Sequence, residues 1–179
     1  MSRTISLPDG TSLPALGVGT WNMGDSIARR EEEIASLRFA VEHGAQVVDT
    51  AEMYGNGRSE KLVGEAIAPM RERVFLVSKV LPTNASAKGV AQSCRQSLRH
   101  LGTDRLDLYL LHWRGGVPLT ETVEAFRTLQ REGLIRYWGV SNFDTDDMRD
   151  LERCIHPGEC AANQILYSLE HRGVEYDLL

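Results

Sequence analysis

A chain of 179 residues that is 42% hydrophobic and 25% charged, with a formal net charge of -5, has the profile of an ordinary globular protein. Its 20 Lys and Arg residues are scattered, so neither a basic stripe for nucleic acid nor a polybasic face for a membrane is present. The opening MSRTISLPDG lacks the apolar core of a signal peptide and no apolar run approaches the ~18 residues that cross a bilayer, so a cytoplasmic location is expected.

In chain order, TISLPDGTSLPAL reads as a hairpin over residues 4–14, with Asp9-Gly10 as a two-residue turn. An alternation follows. Strands are expected at LGVGTW (16–21), QVVDT (46–50), VFLVSKV (74–80), LDLYLLHW (106–113), IRYWGVSN (135–142) and AANQILY (161–167). Amphipathic helices are expected between and after them, at 30–43, 59–68, 87–101, 119–132 and 144–154. LDLYLLH is apolar at nearly every position, as in a parallel strand buried on both faces by helices. Cys94, Cys154 and Cys160 are odd in number and lack metal-site spacing, so they are read as reduced thiols, and no metal is expected.

A βα series of this kind fits an open doubly wound sheet or a (β/α)8 barrel. The open sheet would carry a GxGxxG loop after its first strand, and GVGTWNMGD does not match it in spacing. The barrel is preferred. No linker divides the series, so the expectation is one α/β domain over residues 1–179, a (β/α)8 TIM barrel truncated after the sixth strand with an N-terminal β-hairpin. Two open sheet edges should then make the 179-residue chain poorly stable alone.

Catalytic groups in such barrels sit at the C-terminal ends of the strands. Read in order, those ends offer Trp21, Asp49, Lys79, His112, then Ser141 and Asn142, with Gln164 inside the sixth strand. Each alone has an ordinary explanation as a helix cap or solvated polar residue. Their recurrence at equivalent positions points to a site. Tyr54, in the loop after Asp49, is a poor acid at neutral pH, and a neighbouring Lys79 ammonium would lower its pKa. Asp49 would keep Lys79 charged, and His112 would share a hydrogen bond with the same carbonyl oxygen.

These residues resemble the aldo-keto reductases, NADPH-dependent carbonyl reductases built as (β/α)8 barrels. The matching elements are LGVGTW, DTAEMYGNGRSEKLVGEAI, VSKV, LDLYLLHW, GLIRYWGVSNF and ANQILYSL. Bacterial reductases of methylglyoxal and related small aldehydes are the most similar members. The resemblance implies Asp49, Tyr54, Lys79 and His112 as the catalytic four, with Tyr54 protonating the carbonyl oxygen as hydride arrives. It also implies Ser141, Asn142 and Gln164 at the nicotinamide carboxamide, and Gly19, Thr20 and Asp49 near the ribose end. Trp21 and Trp113 are expected as walls of the substrate pocket, and Tyr167 as core. The family's grip on the 2'-phosphate and adenosine would follow strand six, so the chain by itself should bind NADPH weakly and be weakly active or inactive. Two other readings stay open: a barrel lyase with Lys79 as Schiff-base nucleophile, which Asp49 opposes by holding the amine protonated, and a non-catalytic nicotinamide-binding sensor or subunit.

Overall fold

The computed structural model describes residues 3–7 and 9–179. Strands β1 (Thr4–Ser6) and β2 (Ser12–Pro14) pair antiparallel, with Ile5 opposite Leu13. Their turn is wider than the expected two residues. The Leu7 amide bonds the Thr11 carbonyl, Gly10 sits at φ 83°, and the Asp9 carboxylate accepts from the Thr11 amide, so the chain reverses between Leu7 and Thr11.

Six further strands form one parallel sheet in chain order: β3 (Gly17–Gly19), β4 (Val47–Asp49), β5 (Phe75–Val80), β6 (Leu106–Leu111), β7 (Ile135–Ser141) and β8 (Asn163–Gln164). The helices between and after them are α1 (Arg30–Glu42), α2 (Arg58–Ile67), α3 (Ala87–Leu101), α4 (Leu119–Arg131) and α5 (Thr145–Glu152). This is the curled front portion of a (β/α) barrel. No helix among the described residues is long and apolar enough to cross a membrane.

The strand alternation divides the core in two. Phe75, Val77, Leu108 and Leu110 pack with Leu7 and Leu13 of the hairpin, which plugs the N-terminal end of the sheet. Leu76, Val80, Tyr109 and Leu111 point the other way, into the helices. Because side chains alternate with period two, the inward series of β5 continues from Phe75 and Val77 to Lys79. The same rule carries β6 from Leu108 and Leu110 to His112, just past the strand. The pleat that seats the plug thus places two polar groups at the opposite rim.

On α3, Val90, Cys94, Leu98 and Leu101 recur at helical spacing on the buried face. Its ends are marked by Ser86, whose hydroxyl accepts from the Gly89 amide, and by Gly102 in the left-handed region at φ 62°. Asp144 caps α5 in the same manner through the Asp147 amide.

The largest difference from sequence expectation is β8. A strand over 161–167 is expected, yet only Asn163 and Gln164 pair in register, opposite Val140 and Ser141. Gly139 allows this close approach, since a Cβ there would lie 2.3 Å from the Ala162 carbonyl. Tyr167, expected in the core, is 54% exposed and donates its hydroxyl to Glu175.

Candidate active site

β4 ends at Asp49, and the chain runs through Thr50 and Ala51 into the loop that bears Tyr54. Lys79 is 1% exposed, and its Nζ donates to Asp49 Oδ1 at 2.6 Å, to the Thr50 carbonyl at 2.9 Å and to Tyr54 Oη at 3.3 Å. His112 joins from β6, with its ring edge-on to Tyr54 at 5.8 Å between centroids. Four groups separated by up to 63 positions along the chain therefore meet at one rim of the sheet.

The electrostatics differ from the sequence expectation at Tyr54. Its pKa is pushed up to about 12, first by burial and then by the Asp49 charge, whereas Lys79 was expected to lower it. Lys79 spends its charge on Asp49, which is closer to it than the phenol is. Burial presses Lys79 itself below its ordinary value, with Asp49 opposing. His112 is lowered to about 4, by burial and then by Lys79, so it is a neutral imidazole at physiological pH. Its Nδ1 is buried without a hydrogen-bond partner.

The other predicted residues divide. Gln164 reaches back to donate to Asp49 Oδ1 at 3.1 Å. Ser141 donates to the Gln164 carbonyl, and Asn142, at φ 56°, donates its side-chain amide to the His112 carbonyl and to Ser141 Oγ. These three tie β6, β7 and β8 together at the rim. The side-chain oxygens of Asn142 and Gln164 accept no bond from the described residues and remain available as acceptors. Gly19 leaves open space, since a Cβ there would meet nothing within 4 Å. Thr20, expected near the ribose end, is wholly buried, and its hydroxyl is committed to the Asp49 carbonyl and to Ser59. Its hydroxyl stands behind the rim as support. Trp21 is 72% exposed and stacks on Tyr54 at 6.4 Å, and Trp113 is 39% exposed beside His112 at 4.9 Å.

Two supports were not read from the sequence. Glu52 Oε1 accepts from the Leu81 amide at 2.6 Å and from Asn84, fastening the Tyr54 loop to the loop after β5. Ser59 bonds both Thr20 and Thr50 in a buried hydroxyl cluster behind Asp49. Both are polar residues near a turn, where solvated side chains are the rule, and only the fold supplies their partners.

A parallel curled sheet with a carboxylate, an amine, a phenol and an imidazole converging at one rim has the architecture of a (β/α) barrel, whose functional groups gather at the C-terminal ends of the strands. The chain belongs to the aldo/keto reductase family, whose profile matches residues 15–178. It is 51% identical over 177 residues to methylglyoxal reductase YeaE of Escherichia coli K12, covering 99% of this chain and 62% of that protein. Aldo-keto reductase YhdN of Bacillus subtilis is 34% identical over 193 residues, covering 100% of this chain and 57% of its own length. A crystal structure of aldo/keto reductase from Klebsiella pneumoniae in complex with NADP and acetate has a TM-score of 0.95 and 52% identity, covering 99% of this chain and 63% of that one. The chain thus spans about three fifths of the length of these relatives.

Proposed function

We propose that this chain carries the proton-donor side of an NADPH-dependent reductase of small aldehydes and ketones, with methylglyoxal-like dicarbonyls as the substrate class. The observation that supports it most is the contact of a buried, carboxylate-paired Lys79 with the Tyr54 hydroxyl at 3.3 Å. The likeness to YeaE and to the NADP-bound Klebsiella enzyme points the same way.

The residues present suit the cofactor's amide. Asn142 and Gln164 keep side-chain oxygens free to accept from a carboxamide, and Gly19 leaves room where a side chain would intrude. NADPH, when bound, supplies the hydride. The protein's part is then to hold the carbonyl and move one proton. Tyr54, raised to about 12, is fully protonated at neutral pH and donates its proton to the carbonyl oxygen as negative charge grows there. The alkoxide is a far stronger base than the phenolate, so transfer is downhill despite the raised pKa. Lys79 donates a hydrogen bond to the Tyr54 oxygen, which the phenolate accepts more strongly than the phenol does, and Asp49 holds the ammonium in place. Neutral His112 offers a ring N–H that helps fix the same oxygen without competing as a cation. Trp21 and Trp113 wall the space above Tyr54 and His112 with apolar surface that admits a small carbonyl and sheds water.

NADPH oxidation by the full-length protein over a small panel of aldehydes tests the reading. Tyr54→Phe should lower kcat by roughly 10²–10⁴-fold while leaving cofactor affinity unchanged; a variant as fast as the wild type would refute Tyr54 as the acid. The 179-residue chain alone should bind NADPH weakly, because the relatives it matches run well beyond it. Titration followed by ligand fluorescence checks this, and tight saturable binding would contradict it. A Schiff-base role for Lys79 has less support, since its Nζ is wrapped by three oxygen partners with no open side for a carbonyl carbon.

A further inference from the structure

The loop that presents Tyr54 has an unusual backbone. Gly55, Asn56 and Gly57 lie in succession in the left-handed region, at φ 55°, 53° and 82°. Glycine takes this region without steric cost and asparagine more readily than most residues, so the turn is written into the Gly-Asn-Gly sequence. On one side, a Cβ at Gly55 would lie 2.8 Å from the Asp25 carboxylate, which is paired with Arg58. On the other side stands His100 of α3: a Cβ at Gly57 would lie 2.4 Å from its Cε1 and 2.5 Å from its Nδ1.

His100 is itself held in one orientation. Its Nδ1 is 3.0 Å from Glu60 Oε2, and its Nε2 is 2.6 Å from the Gln96 side-chain nitrogen. Arg99 donates to Gln96 Oε1 at 2.6 Å, and because a guanidinium has only donors, the Gln96 oxygen must face Arg99. The Gln96 NH2 then faces His100, whose Nε2 accepts. The ring proton therefore resides on Nδ1 and is donated to Glu60. Glu60 is fully buried, and its other oxygen accepts from Ser78 Oγ at 2.7 Å. Ser78 immediately precedes Lys79 on β5. One carboxylate thus bonds both Ser78, next to Lys79 on β5, and His100, whose ring packs against Gly57 of the tyrosine's loop.

We propose that His100 is a positioning residue that sets Tyr54 against Lys79 by filling the space behind Gly57 while anchored to Glu60. The inference rests on the reading of Tyr54 as proton donor. Neither His100 nor Glu60 reaches the rim, so their effect is transmitted through the loop.

Hydrogen exchange on the cofactor-free chain, resolved by segment, tests it without turnover. His100→Ala should speed exchange across residues 52–58 by about tenfold or more while β7 keeps its rates. His100→Asn, which retains a donor where Nδ1–H stands, should recover much of that protection. Gly57→Ala should open the loop in the wild type through both its φ of 82° and the His100 ring, and add less in the His100→Ala background, where only the backbone strain remains. In the full-length reductase the His100→Ala change should lower kcat and leave KM for NADPH unchanged. Acceleration spread evenly along the chain, strictly additive Gly57 and His100 effects, or an unchanged kcat would overturn the proposal. A full-length wild type without turnover would refute the reductase reading alone, and the exchange pattern would still decide the role of His100.

Discussion

Tyr54 and His112 are both shifted toward their neutral forms, to about 12 and about 4, with burial as the leading cause for each. The neutral imidazole has a measurable cost. Between pH ~6.5 and ~4 the unfolded chain takes up a proton at this histidine that the folded chain refuses, so stability falls as pH is lowered through that window. The expected loss is on the order of 3 kcal/mol by the bottom of the window. Urea unfolding at pH 7 and pH 4.5 reads most of it, and in His112→Gln the difference between the two pH values should shrink by about 2.5 kcal/mol. The residue types of the site were legible in the sequence because strand ends recur. Their protonation was not, since it depends on depth below the rim and on Lys79 being matched by Asp49 before it can act on Tyr54. Thr20 shows the same limit: its position in the alternation was clear, but whether its hydroxyl faced the rim or the hydroxyl cluster was a matter of packing.

At the scale of elements, α4 and the strands beneath it depend on Phe126. Its ring stacks on Trp138 at 5.5 Å, meets Tyr109 edge-on at 5.7 Å, and is 1% exposed. Phe126→Ala should cost about 3–5 kcal/mol, the usual range for deleting a buried aromatic, seen as a lower denaturant midpoint with secondary structure retained. The helices were the easiest elements to read. The expected span of α3 coincides with the observed Ala87–Leu101, because Ser86 and Gly102 mark its ends chemically. β8 was the hardest. Apolar residues such as Ile165 and Leu166 extend the pattern of AANQILY beyond the two residues that pair, and no local signal says where a strand runs out of neighbours.

For the molecule as a whole, β3 and β8 each have a single hydrogen-bonded neighbour among the described residues. Leu16 and Leu166 are each 63% exposed, and Leu169 is 94% exposed. Open parallel edges next to uncovered apolar side chains favour association. The 179-residue chain should therefore self-associate with rising concentration in the micromolar range, as seen by light scattering. Leu166→Lys should reduce that association; a chain that stays monodisperse throughout would contradict the expectation. The barrel class itself was legible from the βα alternation and the absent GxGxxG loop, whereas the hairpin's role as a plug required the fold, because its partners lie on β5 and β6.

The left-to-right order of the sheet is also the order in which a ribosome would release it. Val18 meets Val48, Val48 meets Leu76, Val77 meets Leu108, and Leu108 meets Tyr137, about thirty residues later each time. Each newly emerged strand finds its template already in place, and growth needs no distant search. The hairpin breaks this schedule, since Asp9 and Thr11 bond Tyr137, 128 and 126 positions downstream. That clasp can close only after β7 has been made, so the hairpin's polar turn is the part of this end of the sheet that is fastened last.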